Sequence, residues 1–390
     1  PKRSKMKDLR VLVNMTSFEF NKIKESINSN LSYLDRREEI FSNFINNGFP
    51  NKRNESWRYF DLASKSKSYV KKDISNSQII VENLHENNNF YDCLENNLSS
   101  EDYFKPCSYF KNESVVDLNI ACGNQIKILD IDYTQNDPIV VRINYDDTNI
   151  SLPRLIINVS DNVKAKINYI NKANDGFLNL LVEYNIGNKS ELDVSRINSS
   201  QGLLVETNLV FLLNQSTFEM KNLSLPIDSS RLQLFSNHIG ERSTCTSKTI
   251  SIPAENSTDD ILVDNIFSES NCESVSGVRA ILDKDSVCTF QSMIDIHNSV
   301  LGSKAEQDCK GFLLSDRAVM NAKPQMKIFN DDVICKHGAT IGSLDEDEIF
   351  YLRTRGLDRK KAINLILDGH INSYIGHEAF LKEFLPEEYR

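Results

Sequence analysis

From about residue 116 to 343, hydrophobic and polar side chains alternate, or apolar ones run together briefly, with almost no helical periodicity. A period of two over some 220 residues restricts the chain to folds built from many strands, because a strand sends successive side chains to opposite faces. The segments 126–131, 139–145, 155–159, 178–184, 203–213, 261–263 and 275–282 carry the pattern most clearly. Short polar turns recur between them: Gly187-Asn188-Lys189-Ser190, Asn214-Gln215-Ser216, Gly240-Glu241-Arg242-Ser243, Asp283-Lys284-Asp285-Ser286, Gly302-Ser303-Lys304-Ala305 and Ser315-Asp316-Arg317-Ala318. Their starts lie 13 to 43 residues apart, an imperfect repeat. Many short strands at irregular spacing fit a sandwich, a barrel or a β-solenoid, and in a solenoid the inward apolar positions of each rung continue one core.

The flanks read differently. Over 8–47 apolar residues recur at three and four residue spacing, with Gly48 as a stop and Pro50 beyond it. Residues 61–115 are polar, Asn-rich and weakly periodic, which predicts a linking region with short elements. After 344, Asp345 to Glu348 supply a first-turn acidic run, Gly356 ends one helix, and a second is predicted from Asp358 to a stop at Gly369. The expected division is therefore a helical region and linker over 1–115, a β core over 116–343, and a helical region over 344–390.

Composition excludes several classes. A formal net charge of −10 speaks against a protein that wraps a nucleic-acid backbone. No stretch approaches 18 apolar residues, so no membrane span is expected, and no secretory signal is visible. Asn is in excess, 43 of 390 residues, but never forms a long run, and reads as drift tolerated at turns and solvent faces. Eight Cys without a CxxC pattern fit buried thiols in a reducing compartment. No Walker A, GxGxxG or GxSxG sequence is present.

Of six His, His337 differs from the rest, because it lies two residues from Cys335. In a strand the two share a face, and a thiolate and an imidazole are suitable ligands for a soft or borderline metal. Two ligands do not close a tetrahedral site. From spacing alone, a buried Cys beside a structural His is the competing reading.

The C-terminal stretch adds a resemblance. Leu313-Leu314-Ser315-Asp316-Arg317-Ala318, Lys323-Pro324-Gln325-Met326-Lys327-Ile328-Phe329 and Asp331-Asp332-Val333-Ile334-Cys335-Lys336-His337-Gly338-Ala339-Thr340-Ile341-Gly342 resemble the SufB/SufD family of iron-sulfur cluster assembly proteins. Phe350-Tyr351-Leu352-Arg353-Thr354-Arg355-Gly356-Leu357 continues the match, and Asn54-Glu55-Ser56-Trp57-Arg58-Tyr59 resembles an N-terminal pattern of SufD-like members. The Cys-Gly-Ala run of SufB-like chains is missing from the corresponding stretch, which points to the SufD side. The resemblance implies a right-handed parallel β-helix core between helical ends. It implies a non-enzymatic scaffold subunit that pairs with a SufB-like chain through edge strands and docks a SufC-like ABC-type ATPase on its C-terminal helices. A transient iron-sulfur cluster would form near the joint, with His337 and Cys335 beside it and none held stably by the isolated chain. Phe350, Arg353, Arg355, Ile363 and Ile366 are the expected partner-facing residues of those helices. The resemblance fits a cytoplasmic setting or an organellar stroma such as a plastid. The alternatives are a homodimeric scaffold without a SufB partner and a β-solenoid enzyme acting on polysaccharide. The second needs paired carboxylates on one face, whereas Asp259-Asp260 and Asp331-Asp332 would point to opposite faces.

Overall fold

The computed structural model describes residues 31–69, 73–93, 113–123, 125–376 and 378–389. The predicted helix before Leu31, Cys107 and His377 lie outside the described residues. Strands β1 (Gln78–Glu82) and β2 (Asn89–Asp92) come first. Then follow β3 (Gln125–Ile131), β4 (Ile139–Tyr145), β5 (Ile150–Ser151), β6 (Pro153–Val159), β7 (Lys164–Ala173), β8 (Phe177–Ile186), β9 (Glu191–Asn198), β10 (Leu203–Leu212) and β11 (Thr217–Ser224). Next are β12 (Ser229–His238), β13 (Thr244–Ser251), β14 (Thr258–Phe267), β15 (Glu273–Leu282), β16 (Val287–Ile296), β17 (Ser303–Leu313), β18 (Val319–Ile328) and β19 (Val333–Gly342). They form two sheets, ordered β1-β4-β7-β9-β11-β13-β15-β17-β19 and β18-β16-β14-β12-β10-β8-β6-β3-β2, with β5 beside β8. From β3 onward every pairing is parallel, apart from the antiparallel partners β1 and β2, so the chain is a parallel β-solenoid.

The imperfect repeat has a structural source. Gln125 pairs with Pro153, Leu203 with Ser229 and Val287 with Val319, so a rung is 28 residues at first, shortens to 26 and then lengthens to 32 along the molecule. Five of the six polar turns fall at corners between strands; of the sixth only Gly302 sits at a corner, because Ser303, Lys304 and Ala305 open β17. One corner is a column of left-handed residues: Asn162, Lys189, Gln215, Arg242, Asn271 and Gly302 all have positive φ. Only some are Asn. The excess Asn instead extends into the interior, where Asn171, Asn198, Asn208, Asn222 and Asn265 are buried. Asn171 and Asn208 donate to the Glu206 carboxylate, which is paired with Arg196 (both fully buried), and Arg196 also donates to Asn222 Oδ1 at 2.6 Å. The reading of Asn as tolerated at turns and solvent faces is thus too narrow: rung stacking brings interior amides within reach of the buried Arg196–Glu206 pair and of interior hydroxyls, which take up part of their hydrogen bonding out of water. The apolar part of the interior forms one cluster from Ile79 to Met320 and a smaller one around Phe267, Ile294 and Ile296.

Helices cover the outer faces. Helix α1 (Leu31–Asn47), which ends at left-handed Gly48, the short helix α2 (Leu62–Lys65) and α3 (Ser114–Cys122) bury Phe44, Phe49, Trp57 and Phe60 against the ten-stranded sheet. Residues 114–122 are thus helical rather than β; eight of the nine are buried between the sheet and α1, and this all-round burial, not a 3.6-residue stripe, hides the helix from periodicity. The strands β1 and β2 lie in the segment read as a linker. Trp57 docks over the Arg231 guanidinium at 3.9 Å and donates to Glu113 at 3.2 Å; Arg231 pairs with Asp260 at 2.6 Å. On the nine-stranded sheet lie α4 (Glu346–Thr354), α5 (Arg359–Ile375) and α6 (Ala379–Lys382). Asp345 and Asp358 cap α4 and α5 as expected. Helix α5 does not stop at Gly369. It continues to Ile375 because Leu367, Ile371 and Ile375 keep one stripe buried across the glycine, and that burial outweighs about 1 kcal/mol of lost propensity. Among the described residues no helix is long and apolar enough to cross a membrane.

Candidate functional site

The two ends of the solenoid are built differently. At the first, β1 runs antiparallel to β4 and β2 antiparallel to β3, with Leu84 and Phe90 packed onto the core. At the other end β18 and β19 are terminal strands, with no further strand beside them among the described residues. Exposed large hydrophobics gather there: Phe329 is 61% exposed and Ile334 57%, with Leu301, Val319 and Ile341 also open.

Cys335 and His337 sit in β19. Cys335 pairs with Ala305 and His337 with Gln307, both buried interior residues of β17. Residues in register in a stacked ladder point the same way, so both side chains continue the inner column of the solenoid. They stay accessible because no rung follows: Cys335 is half-buried and His337 exposed. Burial pushes the Cys335 thiol up from its usual range, against a backbone hydrogen bond at Ala305. At neutral pH it is therefore a thiol that gives up a proton when it binds a metal. Beside them, Gln307 Nε2 donates to Ser292 Oγ at 2.9 Å and to the Gln325 carbonyl at 3.2 Å. Among the described residues no group of three or more His, Cys, Asp or Glu could hold a metal ion. The strand thus presents two donors on one face, and any closed coordination sphere needs more from outside. Six other described cysteines, Cys93, Cys122, Cys245, Cys272, Cys288 and Cys309, are buried.

The other predicted residues occupy a separate surface. Arg353, Arg355 and Phe350 are exposed on and just after α4, Phe350 at 65%. Ile363 and Ile366 on α5 are half-buried against the cluster that holds the helices to the sheet. Tyr351 on α4 and Leu365 on α5 are exposed as well, and sequence reasoning named neither as partner-facing. The signal for Tyr351 was available: with Ile349 buried, each step of about 100° around the helix turns Phe350 and Tyr351 away from the core. The Arg355 guanidinium lies 5.3 Å from the Tyr351 ring centre.

The N-terminal pattern around Trp57 is a brace rather than a reactive site. The Ser56 carbonyl accepts from Arg231 and from Gln291, and Glu55 pairs with Lys323 of β18 at 2.7 Å. Asp259 and Asp260 do point to opposite faces: Asp259 accepts from Ser251 inside the solenoid, Asp260 from Arg231 outside it. His238 is fully buried with Nδ1 2.7 Å from Ser243 Oγ, and burial pushes it down to about 3, so it is a neutral structural ring.

Comparison with known proteins agrees with this architecture. The family described as SUF system FeS cluster assembly, SufBD core domain, matches residues 141–370. The chain is 37% identical over 90 residues to an iron-sulfur cluster assembly SufBD family protein of Synechocystis, covering 23% of this chain and 20% of that one. It is 31% identical over 96 residues to the iron-sulfur cluster assembly protein SufD of Escherichia coli, covering 25% and 23%. It is 38% identical over 73 residues to a chloroplastic protein of Arabidopsis thaliana, covering 19% and 15%. These matches span about a fifth of the length of the curated relatives. With more than half its length matched by the core domain, the chain belongs to the SufB/SufD family of iron-sulfur cluster assembly proteins and is SufD-like.

Proposed function

We propose that this chain is a non-enzymatic scaffold subunit of the SUF assembly, joined at the open end of its solenoid to a SufB-like chain. The iron-sulfur cluster is its cargo, formed transiently at that joint and not held stably by the chain alone. Cys335 and His337 offer two donors there, and the partner supplies the others. A SufC-like ABC-type ATPase docks on the C-terminal helices over Phe350, Tyr351 and Leu365, with Arg353 and Arg355 at the rim. The observation that carries the reading is the contrast between a capped first end and an open last end lined by a thiol and an imidazole. Thiols as buried as Cys245, Cys288 and Cys309 fit a reducing compartment, cytoplasm or plastid stroma.

The test is anaerobic co-purification with SufB-like and SufC-like subunits, followed by iron and sulfide analysis. His337→Ala is expected to lower cluster content severalfold while the complex still elutes intact. Unchanged iron and sulfide in that complex would remove His337 from the site.

A further inference from the structure

Arg196 of β9 and Glu206 of β10 pair in the middle of the solenoid interior, one from each sheet. The Glu206 carboxylate accepts four hydrogen bonds: from Arg196 Nε at 2.9 Å, from Arg196 Nη2, from Asn171 Nδ2 at 2.9 Å and from Asn208 Nδ2 at 3.1 Å. A carboxylate has about four lone-pair sites, so this one is saturated. Because it can only accept, both amides must turn their NH2 groups toward it and their oxygens away.

Four polar atoms around this pair have no hydrogen-bond partner among the described residues: Asn171 Oδ1, Asn208 Oδ1 and the hydroxyls of Tyr169 and Tyr184. All four residues are 0% exposed. Tyr169 is in register with Arg196 on the neighbouring strand, and each phenol feels both charges of the pair. Burial raises both phenols, so each keeps a proton to donate. Bulk solvent does not reach them: Asn208 is stacked between Val182 and Leu234, and Phe218 packs on Tyr184 with ring centres 5.0 Å apart. Buried polar groups are hydrogen-bonded as a rule, because an unpaired one forfeits its hydration without return. Four such atoms around one ion pair call for one shared cause.

The four atoms are complementary to water. Two can only accept and two have a proton to donate, while a water molecule gives two protons and accepts two. A monovalent cation would serve the amide oxygens, but it would leave both phenol protons unpaired and stand near the Arg196 guanidinium. We propose that the solenoid interior binds water at this point, with at least one molecule shared by the Tyr169 and Tyr184 hydroxyls and the two amide oxygens. Such a molecule joins β7 of the nine-stranded sheet to β8 and β10 of the other, and a buried water of this kind makes about three hydrogen bonds and is costly to remove. The site is independent of the open end and of any partner chain.

Urea unfolding of the whole chain, of Tyr169→Phe, of Tyr184→Phe and of the double variant tests this. The sign of the change decides. A hydroxyl bound to water contributes to folding, so each single variant is expected to lower the folding constant by about threefold to tenfold. A hydroxyl without a partner opposes folding, so unchanged or raised constants in the single variants overturn the proposal. The double variant is expected to lose less than the product of the two losses, because the first change already loosens the shared molecule. Losses that simply multiply refute a shared molecule. Should a variant misfold, crystallography of the unsubstituted chain decides. Density about 2.7–3.2 Å from at least three of the four atoms is expected. No density there, or an anomalous peak at that point after soaking with thallium(I), overturns the assignment.

Discussion

The residues under the N-terminal helices carry the clearest pH dependence. Burial pushes Asp264 up to about 7 and Asp260 up to about 6, and it raises Glu113 as well. Arg231 opposes the rise at Asp264, while Glu113 and Asp295 reinforce it. A carboxyl raised in the folded state holds a proton that the unfolded chain has lost. Its contribution is therefore full below the unfolded value near 3.8 and declines as pH rises through about 7. Asp264→Asn is expected to melt higher than the unsubstituted protein at pH 8, by up to a few kcal/mol at about 1.4 kcal/mol per pH unit. The two should converge toward pH 4, and parallel melting curves across that range would refute the assignment. None of this was legible in the sequence, because the network joins residues from 57 to 295 that only rung stacking brings together. Cys335 and His337 were legible, because two positions apart in a strand is a statement about a face.

At the scale of elements, legibility followed local pattern. The alternating segments named from sequence all fall on strands, and Asp345, Asp358, Gly48 and Gly356 mark helix ends where expected. What failed were elements whose stability is tertiary. Helix α3 is buried too evenly to show a stripe, and α5 runs through Gly369 because the sheet holds it. A Cβ at Gly369 would meet nothing within 4 Å. Gly369→Ala is therefore expected to stabilise the protein by about 0.5–1 kcal/mol, read as a rise in urea midpoint. A fall would mean that the glycine is needed for something other than helix continuity. Rung closure was the least legible feature, since rungs that vary between 26 and 32 residues blur any fixed repeat.

On the scale of the whole molecule, two surfaces are separated: the open end with β19, and the exposed patch on α4 and α5. Exchanging Arg353 and Arg355 together for Glu is expected to weaken ATPase-subunit binding by about tenfold and leave β-solenoid circular dichroism and SufB-like association unchanged. Undiminished ATPase binding would assign the two arginines to solvent. The separation is short along the chain, however. Only Ser343, Leu344 and Asp345 lie between β19 and α4, and Leu344 is buried with the helices. A tether of three residues reaches about 10 Å at full extension. Any displacement of the helices that carries them beyond this reach must arrive at the last strand as tension, directed at the backbone that carries Cys335 and His337.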